Sequence, residues 1–260
     1  VASDKAEALI AEAALRLAAA RRLVVLTGAG VSKESGIPTF RDAQDGLWAR
    51  YDPMQLATRE GFKRDPVLVW RWYDYRFGMV AAAQPNPGHR AIAAMERLFP
   101  RVTVITQNID GLHRAAGSAD VVELHGNIGR YKCLDGRHDS FTRADFEGQS
   151  EVPPRCPICG DLLRPDVVWF GEMLPAAVLA LALEASRRCD AMLVVGTSGV
   201  VQPAASLPFV AAGAGALVVD VNPERDEIAR VADIFLQGPG GVVLPRLVAA
   251  LEALEEGGEP

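Results

Sequence analysis

Four short, almost wholly apolar runs recur along this chain: Leu23 to Thr27, Val102 to Thr106, Ala191 to Val195 and Ala216 to Val221. A run with no polar alternate suits a strand buried on both faces, and such strands belong to parallel sheets covered by helices. Helices are expected between and around them, over 5–20, 88–99, 175–188, 204–212 and 242–255. In the first of these, Leu9, Ala13 and Leu17 fall on one helical face. Strands alternating with helices predict an α/β fold with a parallel sheet. The 260 residues suit one large domain, or one domain carrying an insert.

Two segments break the rhythm. Residues 41–85 are rich in aromatics, including Trp48, Tyr51, Phe62, Trp70, Trp72, Tyr73, Tyr75 and Phe77, and read as helical. Residues 129–164 are polar and hold Cys133, Cys156 and Cys159. The expected division is a sheet domain from 1–40, 86–128 and 165–260, with 41–85 and 129–164 packing together as a smaller lobe. A net charge of -6 argues against a partner held by phosphate neutralisation, so no nucleic acid is expected. No apolar run reaches the ~18–20 residues of a membrane span, and Asp4, Glu7 and Glu12 do not suit a signal peptide. Four cysteines in a chain of this size do not make a disulfide scaffold, so a reducing, cytoplasmic setting is expected.

The first strand runs into Gly28-Ala29-Gly30, where the backbone must pass close to something. A strand entering Gly-x-Gly suggests a loop that cradles phosphate, with a tight turn without ligand as the alternative. The dehydrogenase fingerprint fails here. Its third glycine would fall on Lys33, and the next clear strand starts only near Val102. Three more polar loops follow strand ends: Gln107-Asn108-Ile109-Asp110, Gly196-Thr197-Ser198 and Asn222-Pro223-Glu224. One such loop is an ordinary helix cap; four along the carboxyl edge of a parallel sheet suggest a ligand crevice. His125 follows the apolar run Val121 to Leu124 and precedes Gly126-Asn127. It is either a structural histidine or a group that moves protons near neutral pH.

Taken together, Gly28-Ala29-Gly30-Val31-Ser32, Gly36-Ile37-Pro38-Thr39-Phe40-Arg41, Gln107-Asn108-Ile109-Asp110, Leu124-His125-Gly126 and Gly196-Thr197-Ser198 resemble the sirtuins, NAD-dependent protein-lysine deacylases. The resemblance covers roughly residues 20–250. It implies a Rossmann-like domain with a smaller lobe built from a helical insert and a zinc-ribbon-like insert. It implies NAD as co-substrate, an acyl-lysine protein or peptide as partner, and nicotinamide and O-acyl-ADP-ribose as products. His125 takes the role of general base, with Asn108 and Asp110 holding the ribose and the nicotinamide amide. Ile109 lies against nicotinamide, Phe40 covers the reacting ribose, and Arg41 orders its loop. Gly28, Ala29, Gly30, Thr197 and Ser198 line the diphosphate. Asn222 and Glu224 hold the adenine ribose, with Gly240 near the adenine, and Gln107, Gly196 and Pro223 complete the cofactor-binding set. By pattern alone the run from Val167 to Glu172 reads as a plain buried strand; the resemblance makes Val168, Phe170 and Gly171 part of a strand that pairs with the peptide. Two other uses of the same cleft stay open: ADP-ribosyl transfer to protein, and NAD sensing without turnover.

Tyr73 and Arg76 stand three residues apart, on one helix face. This is either a solvated face or, as in the class III sirtuins it resembles, a reader of acidic acyl groups such as succinyl and malonyl. Arginine binds carboxylate bidentately and tyrosine adds a hydroxyl donor; Ala57 matches a small pocket residue of that class. Cys156-Pro157-Ile158-Cys159 is a zinc-knuckle spacing. The family pairs it with an earlier Cys-x-x-Cys, but only Cys133 is present and Gly136 stands at the expected second position. The module is either a structural zinc site, with His138 as the leading fourth ligand and Asp135 or water as substitutes, or a metal-free loop.

Overall fold

The computed structural model describes residues 2–39 and 50–257; Phe40 and Arg41 lie outside the described residues. In chain order the elements are α1 (Ala2–Leu17), β1 (Arg22–Thr27), α2 (Gly30–Lys33), α3 (Pro53–Leu56), α4 (Arg59–Arg64), α5 (Pro66–Ala82), α6 (Pro87–Ala94), β2 (Arg101–Thr106), α7 (Leu112–Ala115) and β3 (Val121–Glu123). They continue as β4 (Gly126–Cys133), β5 (Leu163–Val167), α8 (Ala176–Arg188), β6 (Ala191–Val195), α9 (Leu207–Gly213), β7 (Leu217–Asn222), β8 (Ile234–Gln237) and α10 (Gly240–Glu256).

Six strands form one sheet in the order β3-β2-β1-β6-β7-β8, every pair parallel. The apolar runs are continuous because both faces are covered. Val25, Val104 and Leu193 point into a core shared with Leu17, Ile92 and Leu247 of α1, α6 and α10. Val24, Leu26, Met192 and Val194 point the other way, onto Ala182 and Leu207 of α8 and α9. The chain builds outward from β1 through β2 to β3, then returns to the opposite side of β1 with β6. The strand order therefore reverses between β1 and β6, and at that point the carboxyl edge of such sheets opens into a crevice.

The remaining strands, β4 and β5, form an antiparallel ribbon that pairs Gly126 with Val167 and Cys133 with Leu163. Both strands run across the boundaries expected at 128/129 and 164/165. The aromatic helix α5 packs against it. Val69, Trp72, Tyr73 and Arg76 are buried at i, i+3, i+4 and i+7. Trp72 and Tyr73 share a core with Ala57, Phe62, Ile128, Val167 and Trp169. Trp70 joins a second with Tyr131, Cys133, Cys156 and Leu163. Asp65 caps α5 by accepting the Leu68 amide at 2.9 Å, and Pro66 supplies a preset first turn.

Two expectations need correction. The helices expected at 88–99 and 204–212 each contain a 3-10 segment, Met95–Arg97 and Ala204–Ser206. The run from Val168 to Gly171 is not itself a ladder strand: β5 ends at Val167, and beyond it only a bridge from Thr58 to Phe170 continues the pairing. The Val168 amide donates to the His125 carbonyl and the Phe170 amide to the Ala57 carbonyl, both at 2.9 Å. Those two amides tie the segment to the protein, and Gly171 then turns it with φ +84.

Candidate active site

The loops after all six parallel strands meet at one edge. Gly28 to Gly30 follow β1, Gln107 to Asp110 follow β2, His125 follows β3, Gly196 to Ser198 follow β6, Asn222 to Glu224 leave β7, and Gly240 opens α10 after β8. The glycines of the first loop are required by protein, not only by any ligand. A Cβ on Gly28 would stand 2.8 Å from the Gly196 carbonyl and from the Thr197 backbone, and one on Gly30 2.7 Å from that same carbonyl. The loops of β1 and β6 thus lie backbone against backbone at the switch point. The Gly30 amide donates to the Gly196 carbonyl at 2.8 Å.

Side chains cross-brace the other loops. Gln107 donates through Nε2 to Thr197 Oγ1 at 2.9 Å, and Asn222 donates to the Thr197 carbonyl at 2.7 Å and to Asp226 at 2.8 Å. Asn108 is buried and donates to the Gly28 carbonyl at 3.1 Å and to Ser32 Oγ at 3.0 Å. Ser32 donates in turn to Asp110 Oδ2 at 2.8 Å, while Asp110 Oδ1 accepts the Leu112 amide. Burial pushes the Asp110 carboxyl above its usual range.

His125 Nδ1 lies 2.9 Å from the Gln107 carbonyl. A carbonyl can only accept, so Nδ1 carries the proton and neutral His125 keeps its lone pair on Nε2. Burial lowers its pKa, against the opposing pull of that hydrogen bond. The imidazole is therefore an unprotonated base at neutral pH.

Beside this edge, Tyr73 and Arg76 are not on a solvated face: their exposures are 4% and 8%. Trp169 Nε1 donates to the Tyr73 hydroxyl at 2.9 Å. Burial pushes the phenol up to about 12. The Arg76 guanidinium sits 5.2 Å from the Trp72 ring centroid, and burial lowers its pKa. Ala57 belongs to the same core as Tyr73, and Ile109 of the β2 loop packs against that core. The acyl-reading candidates and the sheet-edge candidates are therefore parts of one neighbourhood.

The Sir2 family model matches residues 28–203. The chain belongs to the Sir2 family. It is 55% identical over 220 residues to the NAD-dependent protein deacylase 1 of Caldanaerobacter subterraneus subsp. tengcongensis, covering 82% of this chain and 87% of that one. A Sir2 homologue solved as its NAD complex superposes with a TM-score of 0.86 at 45% identity, covering 94% of each chain. A Sir2 variant solved with a deacetylated p53 peptide and 3′-O-acetyl ADP-ribose gives 0.80 at 34% identity, covering 96% of this chain and 98% of that one.

The Sir2 fold of this chain also assembles the cysteine module. The ligand atoms of Cys133, His138, Cys156 and Cys159 lie within 4.8 Å of one another. His138 Nδ1 is 3.8 Å from both Cys133 Sγ and Cys156 Sγ. Tetrahedral zinc places sulfur and nitrogen ligands about 3.6 Å apart, so three thiolates and one imidazole fit the ion. Gly136, where a cysteine was expected, adopts φ +75, a left-handed turn that favours glycine. The turn carries the chain on to His138, whose own amide donates to Cys133 Sγ at 3.2 Å. Asp135 lies beside Cys133 Sγ but outside the four-donor group.

Sequence reasoning missed several buried polar residues beneath the edge. Ser32, quoted only as part of a motif, is the hub between Asn108 and Asp110. The His89 and His113 rings lie 4.9 Å apart between centroids, tilted by 58°, and reach Ser32 and Thr27 respectively. Burial lowers their pKa values to about 4 and about 3. A histidine in a helix carries no sequence mark of burial; only the approach of α6 to α7 reveals the pair.

Proposed function

We propose that this Sir2 protein removes acyl groups from lysine side chains of proteins or peptides with NAD as co-substrate, and that it favours acidic acyls such as succinyl and malonyl. In this reading residues 1–40, 86–128 and 165–260 form the NAD-binding domain, and 41–85 with 129–164 form the smaller lobe. The observation that carries the activity is the His125–Gln107 hydrogen bond, which holds a neutral imidazole with Nε2 as the basic atom at the loop edge.

The donor set of that edge suits NAD: amide, hydroxyl and carboxylate groups from Gln107, Asn108, Asp110, Ser32, Thr197, Ser198 and Asn222 match ribose hydroxyls, an amide and a diphosphate. NAD, when bound, supplies the ribose that receives the acyl group. Asn108 and Asp110 hold that ribose and the nicotinamide amide; Ile109 backs the ring. His125 takes a hydroxyl proton on Nε2 while its Nδ1–H stays on the Gln107 carbonyl. Thr197 and Asn222, already joined, keep the far loops in register for the adenosine half, where Pro223, Glu224 and Gly240 complete the wall. Phe170 and Gly171 border the peptide, with the Val168 segment fixed behind them. Zinc, held by Cys133, His138, Cys156 and Cys159, has a structural role, since the module lies in the small lobe and the transfer chemistry needs no metal.

The acidic-acyl preference is supported by the burial of Tyr73 in one core with Ala57, and by the burial of Arg76 over the Trp72 ring of that core. A buried guanidinium gains most from an anionic partner that burial has also stripped of water. The test is nicotinamide release from NAD with acetyl-, succinyl- and malonyl-lysine versions of one peptide, with product mass read in parallel. Arg76→Met should lower succinyl kcat/KM by about 30- to 1,000-fold and acetyl kcat/KM much less. Equal losses on both peptides remove the preference. ADP-ribose attached to protein instead of O-acyl-ADP-ribose in solution removes the deacylase reading.

A further inference from the structure

Behind the acyl-reading pair lies a chain of polar and aromatic side chains that ends on Tyr73. Arg164 is 1% exposed and binds Glu172 with both ends of its fork, Nη1 to Oε1 at 2.6 Å and Nη2 to Oε2 at 3.0 Å. Nη2 also donates to the Val167 carbonyl at 2.7 Å. The guanidinium carbon stands 3.2 Å from the centroid of the Trp169 ring, and Glu172 Oε2 accepts the Trp169 amide at 2.9 Å. Trp169 is thus gripped at its backbone and covered on its face, and Phe62 packs near its ring at 5.4 Å between centroids. The indole has little freedom to turn, and its one polar atom is spent on Tyr73.

That last bond has a direction. An indole N–H donates and cannot accept, so the Tyr73 oxygen is the acceptor in this pair. The phenol's own proton must then be given elsewhere, to an acceptor. We propose that Trp169 is a positioning residue for acyl specificity: held by Arg164 and Glu172, it fixes Tyr73 as a hydrogen-bond donor toward the acyl group, and so selects acyl chains that end in an acceptor, such as a carboxylate. With the indole absent, Tyr73 rotates its hydroxyl freely and accepts as readily as it donates. Arg76 would still attract a carboxylate, but Tyr73 would no longer discriminate between acceptor-ended and plain acyl chains. The inference rests on the acidic-acyl reading of Tyr73 and Arg76.

The experiment uses the full chain with NAD and paired succinyl- and acetyl-lysine peptides. Trp169→Phe removes the indole N–H and keeps an aromatic ring. It should lower the succinyl-to-acetyl ratio of kcat/KM about 3- to 10-fold, the size of one neutral hydrogen bond. In the Trp169→Phe background, Tyr73→Phe should then change that ratio less than twofold, because the two substitutions remove one device. A Trp169→Phe enzyme whose ratio is unchanged, while Arg76→Met still alters it, overturns the proposal. Equal losses on the two peptides also overturn it, since they mark a packing role alone. A second readout survives a poorly folding Trp169→Phe: in nitrogen-15 tryptophan-labelled protein, Tyr73→Phe should move the Trp169 indole N–H resonance upfield, and an unmoved resonance refutes the pair. If Arg76→Met leaves the ratio untouched, the acidic-acyl reading falls first, and the direction imposed on Tyr73 is judged by the indole resonance.

Discussion

Asp220 offers a measurable test of how burial sets charge in this fold. It lies on β7, two residues before Asn222, between Val194 of β6 and Phe235 of β8 in register. Its exposure is 0%, and neither carboxylate oxygen has a hydrogen-bond partner among the described residues. Burial pushes its pKa up to about 7; Asp226 adds to the rise and Arg225 opposes it. In the unfolded chain the group titrates near ~3.9. Below about pH 4 both states hold the proton and the group leaves stability unchanged. Between about 4 and 7 the unfolded chain releases its proton while the folded chain keeps it, so stability falls as pH rises. Above 7 the loss is complete. At about 1.4 kcal/mol per pKa unit, a shift of roughly three units sets a ceiling near 4 kcal/mol, and relaxation lowers it to roughly 2–4 kcal/mol. Asp220→Asn removes the ionisation and keeps the shape. The variant should match the parent at pH 4 and exceed it by roughly 2–4 kcal/mol at pH 8, about 4–12 °C in Tm. His89 and His113 titrate with the opposite slope, because the unfolded chain takes their protons first as pH falls. They are present in both proteins and cancel in the difference. Urea unfolding at pH 4.5 and pH 8 measures it. A stability difference that stays constant between those pH values refutes the reasoning.

Two further outcomes follow from the site. His125→Ala should reduce turnover ~10²–10⁴-fold while NAD binding stays within a few-fold, and the parent's acid limb in kcat/KM should fall below the ordinary histidine value of ~6.5, because burial lowers this pKa; an acid limb above that value contradicts the environment assigned to His125. Protein purified without added zinc should carry close to one ion per chain by elemental analysis, and His138→Ala or Cys156→Ala should lower both metal content and Tm, because ion binding is coupled to folding of the module; a stable, metal-free parent refutes the four-donor site.

Much of the sheet was legible in the sequence, because strands buried on both faces must be apolar at every position. Leu23 to Thr27 and Ala191 to Val195 meet that demand and became β1 and β6. The loops at their ends were legible for the complementary reason: glycine at Gly28 and polar side chains at Gln107, Asn108, Thr197 and Asn222 break the apolar pattern where each strand ends. β8 was not anticipated. Four residues, one of them Gln237, are too short a pattern to separate from a loop, and only pairing with β7 makes them a strand.

What tertiary structure decided was environment. The sequence places Tyr73 and Arg76 on one helix face, but whether that face meets water or a core depended on the β4–β5 ribbon arriving from some fifty residues away and more. The stripe Val69, Trp72, Tyr73, Arg76 carried the clue, and an arginine in it argued for the surface until the fold buried it. The donors proposed for zinc divide in the same way. Cys156 and Cys159 were fixed by local spacing, whereas His138 joined them only because the left-handed turn at Gly136 and the ribbon carrying Cys133 bring its imidazole to both thiols. Residue type and local period determine which elements form; which side chain becomes a base, a ligand or a buried charge is set by what the chain brings against it from far along the sequence.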